Sequence, residues 1–347
     1  MKMRSLGRTE TQVSQLCLGS MTWGTQNTYA EAAEQIACAL EHGVNFIDTA
    51  EMYPTTPLTE ATLGDTETII GQWVAQSGRR NDVVLATKVT GNGREWIYGG
   101  KDITAEKIRI SVERSLKRLQ TDRIDLYQLH WPNRGSYAFR QALTFDPSGQ
   151  ETDKVRDNIH EVLRELDAQV KAGRILHIGL SNESCWGTSQ YLSIARQENL
   201  PQVVSVQNEY NLLNRLYDLD MAEMSHHEGV GLLAFSPLAA GMLTGKYDNE
   251  ALPEGSRRTL NANLGGRYME RSKPVCEKYV ALAREHDLDP AQMALAFCLT
   301  RPFMTSAIIG ATTMEQLKVN LAAAALELSD EVKAGIQNIY EHFPVPM

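Results

Sequence analysis

Val44-Asn45-Phe46-Ile47-Asp48, Val83-Val84-Leu85-Ala86-Thr87-Lys88 and Ile124-Asp125-Leu126-Tyr127-Gln128-Leu129-His130 are three apolar runs, each ending in an ionisable side chain. Each reads as a short buried strand. Similar runs occupy residues 15–18, 175–180, 203–207, 231–235 and 307–309. They are continuous rather than alternating, which predicts strands buried on both faces of a parallel sheet. Helical stretches fall between them, at 30–42, 66–76, 104–119, 155–172, 186–198, 219–228, 274–286 and 290–299, with a last one from Met314. In the 104–119 stretch Ile108, Val112, Leu116 and Leu119 line one face. In the 155–172 stretch Ile159, Val162, Leu163, Leu166 and Val170 do the same.

Strand–helix units repeated in this way predict an α/β chain folded as a closed (β/α)8 TIM barrel with long loops at its C-terminal face. No linker interrupts the pattern, so residues 1–347 are expected to form a single domain. An open doubly wound sheet is the rival. Its glycine fingerprint should open the first turn, and the nearest approach, Gly91-Asn92-Gly93, lacks the third glycine.

Composition narrows the function. The chain is 42% hydrophobic and 22% charged, with a net charge of -9. Acidity argues against a nucleic-acid surface, which needs clustered positive charge. The five cysteines are scattered and never form a C-x-x-C pair, which fits reduced thiols in a cytoplasmic protein. A polar stretch follows the basic N-terminus where the apolar core of a signal peptide would stand, and no run suggests a membrane span. His226-His227-Glu228 lacks zinc-ligand spacing, so no metal is expected. Oligomeric state is not readable.

In a (β/α)8 barrel, reacting groups project from the C-terminal ends of strands. Asp48, Lys88 and His130 hold that position, and Tyr53 follows Asp48 on the loop above. A phenol ordinarily ionises near pH ~10. A neighbouring ammonium is expected to lower that value, and a carboxylate to hold the ammonium. An imidazole can orient a carbonyl oxygen. The set suits protonation of an alkoxide as it forms from a carbonyl.

Asp48-Thr49-Ala50-Glu51-Met52-Tyr53 resembles the Asp-x-x-x-x-Tyr signature of aldo-keto reductases. The resemblance covers almost the whole chain, from Leu18-Gly19-Ser20-Met21-Thr22-Trp23-Gly24 to Gly310-Ala311-Thr312-Thr313-Met314-Glu315-Gln316-Leu317. Gln207-Asn208-Glu209-Tyr210-Asn211 and the insertion after Pro54 are similar to the bacterial Tas-like branch. The resemblance implies reduction of aldehydes or ketones by hydride transfer from NADPH. Tyr53 would be the proton donor, Lys88 and Asp48 would tune it, and His130 would orient the carbonyl.

The same resemblance implies cofactor contacts at Thr22, Trp23, Ser181, Asn182 and Gln207. Phe235 would stack on the nicotinamide, where the family more often has tyrosine or tryptophan. Ser236, Pro237, Leu238 and Ala239 would follow the pyrophosphate, with Lys246, Arg257, Gly310, Thr312, Gln316 and Asn320 completing the set. Thr312 and Thr313 stand where some members carry Lys and Arg for the adenosine 2′-phosphate, which weakens strict NADPH selectivity; Lys246 and Arg257 can compensate. Trp23, Tyr53 and Trp131 would wall a pocket for a small carbonyl substrate. Arg134 and Arg140 either attract an anionic substrate or are solvated loop charges.

Two alternatives stay open. Channel β subunits look like this family and bind NADPH with little turnover, so the chain can be read as a nucleotide-binding regulatory subunit. A barrel enzyme using Lys88 as a Schiff base is the other. A lysine held charged by Asp48 is a poor amine nucleophile.

Overall fold

Leu85, Thr87 and Val89 face one side of their strand, and Ala86 and Lys88 the other. The computed structural model describes residues 1–347. Its strands are β1 (Met3–Ser5), β2 (Gln12–Ser14), β3 (Leu16–Gly19), β4 (Phe46–Asp48), β5 (Val84–Val89), β6 (Ile124–Leu129), β7 (Ile175–Ser181), β8 (Val203–Glu209), β9 (Gly231–Phe235) and β10 (Met304–Ile309). Strands β3 to β10 pair in parallel, and β10 returns to β3 through Ala307 opposite Leu16. This closed barrel is the expected (β/α)8 architecture, and closure leaves it no free strand edge.

The helices are α1 (Tyr29–Glu41), α2 (Asp65–Ser77), α3 (Ala105–Leu119), α4 (Thr152–Lys171), α5 (Cys185–Glu198), α6 (Asp220–Glu228), α7 (Arg257–Leu260), α8 (Lys273–Glu285), α9 (Pro290–Leu299), α10 (Met314–Ala322) and α11 (Asp330–His342). The predicted stripes of α3 and α4 are the faces laid on the barrel: Ile108, Val112, Ile159, Val162 and Leu163 are buried against outward strand residues such as Leu85 and Val89. Each such side chain contributes roughly 1.5–3 kcal/mol. Thr104 starts α3 by accepting the N–H of Lys107.

Inward residues form a second, smaller cluster: Cys17, Phe46, Ala86, Leu126, Val204, Leu233 and Ile308. Leu6 and Val13 join it from below. They belong to the β1–β2 antiparallel hairpin, which plugs the N-terminal mouth and has no counterpart among the expected strands. Its turn needs Gly7, at φ +59°, where a Cβ would stand 2.3 Å from the Val204 carbonyl oxygen. The helix expected from Met314 is α10, which ends at Ala322; a further helix, α11, follows it, capped by Ser329, whose hydroxyl accepts the Val332 N–H. With one mouth plugged, the polar interior opens only at the other.

Candidate active site

Asp48 closes β4 and Lys88 lies near the end of β5, both pointing inward. Lys88 Nζ donates to Asp48 Oδ2 at 2.7 Å and to the Thr49 carbonyl at 2.7 Å. Asp48 Oδ1 accepts from Gln207 Nε2 at 2.8 Å and from Gln128 Nε2 at 3.1 Å. A buried ion pair is costly unless its remaining groups are bonded, and these contacts bond them. Gln128 is a member of this belt that the sequence reading missed. Its signal was an amide inside an apolar strand, two residues before His130 and so on the same face.

Tyr53 and His130 stand above the belt. The Lys88 ammonium is 5.0 Å from the centre of the Tyr53 ring. The Tyr53 and His130 rings meet edge-on at 5.9 Å, and Trp131 lies 5.0 Å beyond His130. Phe139, from the loop of residues 130–151 between β6 and α4, meets Trp131 edge-on at 6.2 Å. The four expected residues are therefore gathered at one mouth, with Trp131 beside them.

Electrostatics set the protonation states. Burial pulls the Lys88 ammonium toward neutrality, but Asp48 and then Tyr53 outweigh it, and Lys88 is held above its ordinary value. Burial raises the Tyr53 phenol, and the opposing pull of Lys88 does not cancel it. The expected net lowering of Tyr53 is thus not what the site produces; the phenol keeps its proton at neutral pH. Burial, then Lys88, holds His130 well below the usual histidine range, so the imidazole is neutral.

The expected cofactor contacts divide into three groups. Thr22, Ser236, Pro237, Leu238, Lys246, Arg257, Gly310, Thr312, Gln316 and Asn320 line one cleft of about 530 Å³ between the β9 and β10 loops. At the barrel mouth Ser181 and Phe235 end β7 and β9, Asn182 follows β7, and Gln207 lies two residues before the end of β8. There Asn182 Nδ2 donates to the His130 carbonyl at 2.9 Å. Trp23 and Ala239 depart from expectation. Trp23 is 0% exposed and donates its indole N–H to Gln35 on α1, so it walls neither pocket. Ala239 turns its side chain into the core, and Ala240 and Gly241 line the cleft instead.

Arg134 and Arg140 are neither solvated nor free. Arg134 pairs with Glu183, and Arg140 with Glu209 at 2.9 Å. Arg267 grips the other oxygen of Glu209 at 2.6 Å, tying the 130–151 loop to the 261–272 loop. A second cleft of about 490 Å³ lies behind Trp131, and its Arg134 and Lys154 are both taken up by carboxylates.

The first cleft has the features of an anion-binding groove. Lys246 and Arg257 line it without a carboxylate partner, and Arg257 Nε is buried with no acceptor. Burial, then Arg267, brings the Arg257 guanidinium down to about 10; burial and Arg257 lower Lys246. Half-buried cations left unpaired call for an anion. Along the same wall Ser236, Ala239 and Ala240 hold left-handed backbones at φ 50°, 48° and 56°. Non-glycine residues adopt this strained form where surrounding structure imposes it, commonly at ligand sites. At the mouth, Asn182 Oδ1 and His130 Nδ1 are buried without partners. An acceptor and a ring nitrogen left open beside a cationic groove fit the amide and phosphates of a dinucleotide. No cluster of three or more His, Cys, Asp or Glu side chains is placed to hold a metal ion. No helix is long and apolar enough to cross a membrane.

Comparison with known proteins agrees with this fold. The aldo/keto reductase family model matches residues 15–341. Protein tas of Escherichia coli K12 is 43% identical over 339 residues, covering 96% of each chain. The uncharacterized oxidoreductase YrpG of Bacillus subtilis is 34% identical over 96% of this chain and 94% of its own. A probable voltage-gated potassium channel subunit beta of Arabidopsis thaliana is 30% identical over 93% of this chain and 91% of its own. The chain belongs to the aldo/keto reductase family, on its Tas-like branch, and is an NAD(P)H-dependent oxidoreductase.

Proposed function

We propose that this protein, acting as one domain over residues 1–347, reduces small aldehydes and ketones to alcohols with NADPH, and that Tyr53 supplies the proton. The observation that carries the reading is the meeting of Tyr53 and neutral His130 over the Lys88–Asp48 pair, beside a cleft with two unpaired cations.

Lys246 and Arg257 would pair with the phosphates, and Asn182 Oδ1 would accept from the carboxamide. NADPH, when bound, supplies the hydride to the carbonyl carbon. His130 donates an N–H to the carbonyl oxygen without adding a positive charge there. Tyr53 hands its proton to that oxygen as negative charge develops on it, and Lys88 steadies the phenolate left behind. Asp48, held by Gln128 and Gln207, keeps the ammonium in place. Such general acid catalysis contributes roughly 10²- to 10⁴-fold. Preference for NADPH over NADH rests on Lys246 and Arg257, because Glu315 on the same cleft opposes further negative charge.

The test is Tyr53→Phe, assayed with an aldehyde panel at the NADPH absorbance. The variant should lose most of its rate while binding NADPH almost as before; a near-normal rate rules out Tyr53 as the acid. The likeness to a channel subunit beta supports a second reading, a nucleotide-binding regulatory subunit. Tight NADPH binding by the wild-type chain with no turnover on any aldehyde or ketone would favour it.

A further inference from the structure

Glu51 is buried at 2% exposure and forms no ion pair. Three donors meet its carboxylate: Oε1 accepts the Thr90 N–H at 2.6 Å, and Oε2 accepts from Ser111 Oγ at 2.6 Å and from the Tyr98 hydroxyl at 2.9 Å. Ser111 Oγ in turn accepts from the Tyr127 hydroxyl at 2.7 Å. The Glu51 N–H donates to the Lys88 carbonyl at 3.2 Å.

These bonds join segments far apart in the chain. Glu51 stands two residues before Tyr53, and Thr90 two residues after Lys88. Glu51 therefore pins the Tyr53 loop to the Lys88 strand twice, once by its backbone and once by its side chain. Tyr98 brings the 91–100 loop to the same point, and Ser111 and Tyr127 anchor it to α3 and β6. From that loop Trp96, Ile97 and Tyr98 pack with Met52, Tyr53 and Trp131 in one small apolar cluster.

A buried carboxylate without a cation is a poor choice for stability, because an apolar side chain fills the space at lower desolvation cost. Glu67 on α2 adds a like charge nearby, while Lys107 and Arg118 on α3 attract from outside contact distance. Three charge-assisted bonds to three segments give such a group a different use: geometry.

We propose that Glu51 is a positioning residue that sets Tyr53 against Lys88 and against the Trp96–Tyr98 wall. The proposal rests on Tyr53 as the proton donor. Glu51 touches neither substrate nor cofactor; it acts through the loop.

The experiment uses the full chain, NADPH and 4-nitrobenzaldehyde as the probe aldehyde, with Glu51→Ala, Glu51→Gln, Tyr53→Phe and the double variant Glu51→Ala/Tyr53→Phe. Glu51→Ala should lower kcat at least tenfold, with NADPH Kd and binding stoichiometry within twofold of wild type. Glu51→Gln should recover part of the loss, since its amide oxygen still accepts the Thr90 N–H. Adding Glu51→Ala to Tyr53→Phe should cost nothing further, because both changes remove the same acid. Wild-type kcat in Glu51→Ala overturns the proposal. So does a full further loss in the double variant, which marks a role independent of Tyr53. Tyr53→Phe at normal rate sinks the proton-donor reading and this proposal with it. If Glu51→Ala does not fold, Ser111→Ala and Tyr98→Phe each remove one donor; a threefold or greater fall in kcat at unchanged NADPH Kd supports the proposal, and wild-type kcat in both overturns it.

Discussion

Lys88 Nζ lies 2.7 Å from Asp48 Oδ2, with both side chains closed to solvent, and the pair forms the floor on which Tyr53 stands. The ammonium has three protons. One goes to Asp48 and one to the Thr49 carbonyl, which leaves one directed at neither. Stability and reactivity are thus joined in a single contact.

Lys88→Met should separate them. Asp48 would keep its bonds from Gln128 and Gln207 but lose its counter-charge, and a buried pair broken on one side costs about 3–5 kcal/mol. Chemical denaturation should show that loss, together with a large fall in kcat. Lys88→Met/Asp48→Asn removes the orphan charge as well, so most of the stability should return while the rate does not. Recovery of both would show that the pair is structural only.

His130 gives a pH prediction with a definite sign. Burial and Lys88 hold its folded pKa well below the unfolded value of about 6.5. Below that pH the unfolded chain binds a proton that the folded chain refuses. The contribution to stability is therefore fully present above pH ~6.5 and is lost as pH falls toward the folded pKa. Melting temperatures across this range should fall more steeply for wild type than for His130→Gln. Equal slopes would mean that the imidazole is not held neutral.

Arg257 is predicted to act on binding rather than on folding. Its Nε has no acceptor and its charge no partner, so Arg257→Ala should not lower the melting temperature of the cofactor-free protein. Hydrogen bonds to a charged group are worth about 1.5–3 kcal/mol, so NADPH should bind about 10- to 150-fold more weakly. The rise in melting temperature on adding NADPH should shrink accordingly. Unchanged affinity would exclude Arg257 from the phosphate site.

What the sequence made legible follows from burial. Strands closed in on both faces must be apolar, so the runs ending at Asp48, Lys88 and His130 stood out, and a polar residue at such an end is conspicuous. Gln128 escaped because it is neutral and lies inside a run, although its parity with His130 points it inward. Trp23 misled for the opposite reason: a position at a strand end does not say which way a ring turns, and this one packs under α1 beside Gln35. The β1–β2 hairpin has three-residue strands and a polar turn, too short for any period to show; only Leu6 and Val13 carry its function as a plug. Arg140 and Arg267 meet on Glu209 across more than a hundred residues, a coupling that no local pattern records.

Gly91 offers a test of the substrate wall. The Trp131 indole lies flat against it: a Cβ there would fall 2.0 Å from Nε1 and 2.3 Å from Cδ1 of that ring. Neither distance is tolerable, so Gly91→Ala must push the indole away. The ring is also tied to Asn92 O at 3.3 Å and packed between His130 and Phe139, so its displacement disturbs both aromatic contacts. The cleft with Lys246 and Arg257 lies between other loops and does not include Gly91 or Trp131. Gly91→Ala should therefore raise KM for bulky aromatic aldehydes severalfold more than for short aliphatic ones, with NADPH affinity unchanged. A uniform change across all aldehydes would place Trp131 outside the substrate wall, and a loss of NADPH binding would mean that the two regions are coupled more tightly than their separation implies.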